Sequence, residues 1–396
     1  MKHDLLLEVL KKRIVEVVKA LHPLHLAMIV NGFARLGVVD EAFFTILAAE
    51  ICRKISEFGS RPLSLVANAY AKLGIRNRFL LEVLGDEVFR RRGEMEPQSI
   101  ALTLNAYARL KFPNPVLFDY FAQDVPRKLK TYGMHSLCLI ANAYARQGRA
   151  EPELFEKLAE HVCANALSLY PRAVAVLTFA FSEVDIRHGV MFFNVPQHVA
   201  QHMRAYSTDE LAMVARAYGH FQMVHQPLFE TISEAVCTRT LVDRSSSSQS
   251  QLRLESGIGE DADDKDAAGE LDFRDEPAKK ELWEIPPRIV SLVWLLAAYG
   301  RLTIFHEATI QVLADALALR AEELTPGLVV EVTRACAALS YAHPGLMAVA
   351  QLCMQERAES LVDEELEAFA RALEDLGALE AEDGDSRSAG YLMLEG

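Results

Sequence analysis

The sequence predicts an all-α protein, a right-handed α-solenoid of 37-residue helix-turn-helix repeats. Three observations lead there. The tetrapeptide Asn31-Gly32-Phe33-Ala34 returns as Asn68-Ala69-Tyr70-Ala71, Asn105-Ala106-Tyr107-Ala108 and Asn142-Ala143-Tyr144-Ala145, each time after 37 residues. A period between about 20 and 50 residues marks a solenoid, propeller or array. A bulky apolar pair also follows most anchors at a fixed distance, as in Phe43-Phe44, Leu80-Leu81, Leu117-Phe118, Leu154-Phe155, Leu228-Phe229 and Leu346-Met347. Finally, Pro, Gly or small polar residues punctuate the intervals (Pro62, Pro97, Pro113-Asn114, Gly133, Ser136, Thr208), cutting each repeat into two helices.

Taken in chain order, residues 4–19 carry Leu6 and Leu7 one period before Phe43 and Phe44. They read as the second helix of a repeat whose first helix is absent. Six units follow to residue 243, the last two with the weaker anchors Phe179-Ala180-Phe181-Ser182 and Arg216-Ala217-Tyr218-Gly219. The third unit shows the pattern best, with helix A from Ser99 to Lys111 and helix B from Pro115 to Leu129. Residues 244–285 form an acidic, Ser-rich insert, poor in aromatics and expected to be disordered. Residues 286–379 resume the array with Ala297-Ala298-Tyr299-Gly300, Arg334-Ala335-Cys336-Ala337 and Arg371-Ala372-Leu373-Glu374, and 380–396 form an acidic tail.

At 100° per residue, one side of helix A gathers aliphatic residues, a small residue just after the anchor, and an aromatic two after it. The small residue is Ala or Gly in all nine units, which permits close helix approach, and the aromatic belongs to the core. The anchor and the residue four beyond it face away. In the first four units they are Asn31, Asn68, Asn105 and Asn142, then Arg35, Lys72, Arg109 and Arg146. Stacking would turn these into a row of amides beside a row of cations, suited to single-stranded RNA: amides read base edges, and Arg stacks on bases or holds phosphate. Arg216 and Arg301 continue the rows weakly. Two other roles stay open. Asn can bond the neighbouring repeat, and cations at helix C-termini complement the macrodipole. A second basic set near the ends of B helices, Arg53, Lys54, Arg90, Arg91, Arg92, Arg127, Lys128 and Lys130, offers weaker phosphate contacts.

The net charge of −14 is unevenly spread. Residues 1–243 carry about +3 and residues 244–396 about −17, so the first half suits a polyanion. The six cysteines make no C-x-x-C pair and read as reduced, buried thiols. His198 and His202 share helical ligand spacing but lack a third ligand. No Gly-rich phosphate loop, H-E-x-x-H or G-x-S-x-G occurs, no cofactor is expected, and no apolar run reaches the length of about 18 needed to span a membrane.

The period and the runs Ala67-Asn68-Ala69-Tyr70-Ala71-Lys72-Leu73-Gly74 and Ala141-Asn142-Ala143-Tyr144-Ala145-Arg146 resemble the heptatricopeptide repeat proteins of apicomplexan organelles. The related octotricopeptide and FAST-kinase-like repeats are similar too. The resemblance implies an α-solenoid that binds organellar RNA, usually mitochondrial, including fragmented ribosomal RNA. Many relatives end in a nuclease-like RAP domain, and residues 379–396 are too few for one. The expectation is a non-enzymatic mitochondrial RNA-binding protein, a mitoribosomal or RNA-stabilising subunit. Its partners would be RNA and ribosomal or other repeat proteins, with no membrane or small-molecule substrate. The alternative is a protein-interaction scaffold, which the acidic second half favours.

Overall fold

In a computed structural model, residues 2–165, 169–246, 286–357 and 361–377 are described. Among them are 18 α-helices and no strands, with neighbouring helices packed in series as an α-solenoid. They divide into two compact units, 1–192 and 193–396. Most of the insert, and the tail from residue 378, lie outside the described residues.

In the first unit the A helices are α2 (Pro23–Arg35), α4 (Ser60–Lys72), α6 (Pro97–Arg109), α8 (Met134–Arg146) and α10 (Pro171–Glu183). The B helices are α1 (Lys2–Val17), α3 (Glu41–Arg53), α5 (Arg78–Arg90), α7 (Pro115–Arg127) and α9 (Pro152–Ala164). Helix α11 (Gly189–His202) contains the division. The second unit has A helices α12 (Thr208–His220), α14 (Ile289–Arg301), α16 (Pro326–Ala338) and α18 (Asp363–Asp375). Its B helices are α13 (Gln226–Ser246), α15 (Glu307–Leu319) and α17 (Pro344–Arg357). Within each unit A packs on A and B on B, and the A layer is the tighter of the two. Helix α1 packs on α3, the place of a B helix.

Sequence explains the boundaries. Each A helix ends at a residue in the left-handed region, six beyond its anchor: Gly37, Gly74, Lys111, Gly148, Asp185, Gln222, Thr303, Ser340 and Gly377. In the first eight the following amide then bonds back to the carbonyl of the residue two past the anchor, as Ile75 N to Tyr70 O at 3.0 Å. This is the Schellman closure, which satisfies otherwise orphaned carbonyls. Thr303, at φ 51°, is the only β-branched residue among the nine, and L-residues pay about 1–2 kcal/mol for that conformation. Thr303→Gly is therefore expected to raise stability by up to about 1 kcal/mol once glycine's greater unfolded-state entropy is deducted, measurable by urea denaturation.

Most B helices start on side-chain caps, α9 behind Glu151 being an exception. Asp40, Asn77 and Asn114 accept from the amides of Phe43, Leu80 and Leu117 at 3.0–3.1 Å. At the equivalent places His188, His225, His306 and His343 accept through Nδ1 from Met191, Leu228, Thr309 and Leu346 at 3.1–3.4 Å. An imidazole nitrogen thus replaces the usual oxygen acceptor.

The core aromatics lie where their spacing places them. Tyr70, Tyr107, Tyr144 and Tyr299 are fully buried. Each hydroxyl donates to a carbonyl on the preceding B helix: Phe44 O at 2.7 Å, Leu81 O at 2.6 Å, Phe118 O at 2.7 Å and Phe229 O at 3.0 Å. Burial pushes these phenols well above their usual range, so they remain donors. The thiols of Cys138 and Cys336 are buried and pushed up to about 12, which keeps them protonated.

Candidate nucleic-acid interface

The A helices of the first unit have an unusual composition. Helices α2, α4, α6 and α8 contain no Asp or Glu, and each ends on a cation: Arg35, Lys72, Arg109 and Arg146. The carboxylates of those repeats sit on the B helices and in the loops, as with Glu50, Glu82, Asp86, Glu87, Asp119 and Asp124. The segregation makes the A layer positive and leaves the B layer of mixed charge. Arg35 is exposed, and Lys72, Arg109 and Arg146 are half-buried. Beside them runs a row three residues before the anchor: Met28 (58% exposed), half-buried Leu65 and Leu102, and buried Leu139.

The asparagine row behaves differently from a solvent-facing ladder. Asn31 and Asn68 are half-buried, whereas Asn105 is 6% and Asn142 3% exposed. Asn142 Nδ2 donates to Asn105 Oδ1 at 3.4 Å across two repeats. This pair therefore fits the bond between neighbouring repeats better than direct RNA contact. The tight A layer draws equivalent anchors together, and the amides are spent on each other.

Most of the second basic set is likewise committed to the protein. Lys54, 9% exposed, donates to Lys19 O at 2.8 Å and Leu21 O at 2.6 Å. Arg91, one period on, donates to Ser56 O at 2.5 Å. Arg239 to Met203 O at 3.2 Å and Arg320 to Pro287 O at 2.7 Å repeat the arrangement in the second unit. A cation 23 residues after the anchor, just past the end of α3, α5 and α15 and within α13, thus clamps the linker of the preceding repeat. These bonds hold Lys54 and Arg91 against the protein, and the same arrangement brings in Arg239 and Arg320, which periodicity alone could have paired with them. Arg92 lies 4.5 Å over the Phe89 ring and 5.3 Å from that of Tyr120. Lys128 pairs with Asp124 at 2.9 Å, and Arg53 and Arg90 with Glu50 and Glu87 at 2.5 and 2.6 Å. Arg127 and Lys130 are exposed. In the second unit, Arg216 lies 4.6 Å over the buried ring of Trp294, and Arg301 pairs with Glu331 at 3.0 Å.

Glu50 is held below its ordinary carboxyl range first by its bond from Arg53, then by Lys54. At Glu87 burial pushes up, but the bonds from Arg90 and Arg91 outweigh it and the carboxyl ends below its ordinary 4.5. A depressed folded pKa means stability that is full above the unfolded value and lost as the pH falls through the folded one. Glu87→Gln is expected to cost about 1 kcal/mol at neutral pH, the upper value for a partly solvated network. It should also flatten the loss of melting temperature as pH drops below about 4.5, as read in a pH series of thermal melts.

Among the described residues, no group of three or more His, Cys, Asp or Glu is placed to hold a metal ion. His198 Nδ1 meets the Tyr206 hydroxyl at 2.8 Å, and His202 stacks on His198. No helix among the described residues is long and apolar enough to cross a membrane.

Fold and surface together define a helical-repeat protein with an elongated basic row on one layer of its first unit. A family model described as RNA-editing substrate-binding complex 6 protein matches residues 1–227, and the chain belongs to that family. It is thus an RNA-associated helical-repeat protein, and the matching family is this one rather than the heptatricopeptide repeat proteins its period resembles. No curated protein matches the chain.

Proposed function

We infer that this protein is a non-catalytic, RNA-holding subunit of a mitochondrial ribonucleoprotein assembly. The RNA is single-stranded and lies along the A helices of the first unit. The observation that carries this reading is the run of four consecutive A helices without a carboxylate, each ending on a cation. Arg35, Lys72, Arg109 and Arg146 supply phosphate neutralisation, and the neighbouring apolar row from Met28 to Leu102 offers surface for bases to lie against. The family's description, a substrate-binding complex of RNA editing, favours an RNA-stabilising, substrate-holding role over a ribosomal one, and supports protein partners within a complex.

The test uses the whole chain with those four residues changed to Glu. Affinity for single-stranded RNA should follow salt with a slope of about −0.7 per neutralised phosphate. Losing four contacts should therefore flatten the slope by about 3 and cost on the order of a hundredfold or more in affinity near physiological salt. Unchanged binding in a variant of intact helicity would refute the reading. A scaffold role is the second reading, and the second unit favours it: α12, α16 and α18 carry Asp209, Glu210, Glu331, Glu364, Glu365 and Glu367 on A helices. Pull-down of protein partners by the RNA-binding-deficient variant would show the two roles to be separable.

A further inference from the structure

Between α14 and α16 of the second unit lies a hollow of about 150 Å³. Its lining comprises Ala297, Gly300, Ala335 and Ala338, with Arg301, Glu331 and Arg334 as its charged members. The hollow exists because of three residue choices. In the first unit the equivalent positions hold Asn105, Leu139 and Arg146, and Asn105 bonds Asn142 across the gap. Here Ala297 replaces the first, Glu331 the second and Ala338 the third, while Gly300 and Ala335 bring the two helices together. The floor is therefore backbone and methyl groups, and the charged atoms stand around it.

Those atoms alternate in character. Arg301 Nη2 and Glu331 Oε1 lie 3.0 Å apart, so a donor edge and an acceptor edge stand side by side. Arg334 is exposed at the rim. A bare phosphate does not suit this lining, because Glu331 repels it. A flat heterocycle with acceptors and donors along adjacent edges does. Guanine carries O6 and N7 acceptors for an arginine, and its N1–H and N2–H donors together match the two oxygens of a carboxylate. Arginine pairing to O6 and N7 is the commonest specific guanine contact. The guanidinium plane of Arg334 can stack on the base, as Arg does on splayed bases of single-stranded RNA.

The geometry points to this hollow as a base-reading pocket for an unpaired guanine of the bound RNA, with Arg301 and Glu331 as its specificity-determining pair. The assignment rests on the RNA reading above but uses residues apart from the first unit's cation row. That row supplies affinity without sequence preference, and this pocket adds preference.

Two measurements test it on the full chain. The first is fluorescence anisotropy with short oligouridylates carrying one central guanosine, adenosine or cytidine. The guanosine strand should bind about tenfold tighter than the others. Glu331→Gln should abolish that preference, bringing the guanosine strand level with the adenosine strand, and Arg334→Ala should narrow the gap between them. The second is titration with guanosine monophosphate, followed by thermal shift, with adenosine monophosphate as control. Equal binding of the three strands would overturn the pocket and leave the RNA reading standing. If no strand binds but guanosine monophosphate does, in a Glu331-dependent way, the pocket stands and the RNA reading falls. Binding of neither strands nor mononucleotide would sink both.

Discussion

Tyr107→Ala is expected to destabilise the first unit by about 3–5 kcal/mol, the usual cost of emptying a buried aromatic site. Tyr107 is fully buried, its ring faces Phe112 at 5.9 Å, and its hydroxyl donates to Leu81 O at 2.6 Å. The ring fills the space between α5 and α6, so its loss strikes the coupling between two repeats rather than one helix. In an array, stability is roughly a sum of repeat and nearest-neighbour terms. The damage should therefore be local. Hydrogen exchange should rise most in α5, α6 and α7, and urea denaturation should broaden. Tyr107→Phe keeps the ring and should cost only about 1 kcal/mol, the net worth of one hydrogen bond. Equal costs for Phe and Ala would mean that the hydroxyl, not the ring, ties the repeats together.

The second large effect comes from one substitution made in two places. A Cβ on Gly300 would stand 2.9 Å from Ala335 Cα and 3.1 Å from Ala335 O, both backbone atoms. The two helices must separate to admit it, and overpacking of this kind costs about 1–3 kcal/mol. Gly32, on α2, has nothing within 4 Å of the equivalent point. There alanine brings only its helix propensity, a gain of about 0.8–1.0 kcal/mol. Gly300→Ala should lower the melting temperature and Gly32→Ala raise it. The same sign at both sites would show that the close approach of α14 and α16 is not what fixes glycine at 300. Gly300 also lines the hollow between those helices, so the variant should dull any guanosine preference as well.

The fold was legible because its determinants recur. The anchor tetrapeptide, the apolar pair and the final Gly or its substitutes appear every 37 residues, and each marks a distinct physical event: close approach, layer filling, left-handed closure. The fate of the surface residues was less legible, for a geometric reason. A helical wheel separates core from non-core on one helix, but it cannot say how closely the next helix lies. Asn105 and Asn142 face away from the hairpin core yet meet each other, because the A layer is tight enough to bury them. Lys54 and Arg91 read as solvent cations on their own helix. Only the three-dimensional position of the preceding linker reveals the carbonyls that hold them. Arg35, Lys72, Arg109 and Arg146 were singled out from spacing alone. What spacing did not bring forward is the missing acid: four A helices without one carboxylate. The setting of Glu331 depends on what Ala297 and Ala338 leave empty, which no single-helix pattern shows.

The tyrosine hydroxyls and the cations that clamp the linkers share a direction. Tyr70, Tyr107, Tyr144 and Tyr299 reach a carbonyl earlier in the chain, and so do Lys54, Arg91, Arg239 and Arg320. In both sets a repeat is fastened to the one made before it. Synthesis proceeds in that same order, at about 5–20 residues per second, so a 37-residue repeat takes a few seconds to emerge. Each newly emerged hairpin thus finds its acceptors already in place, and the array can grow by accretion, one repeat at a time, without waiting for the end of translation.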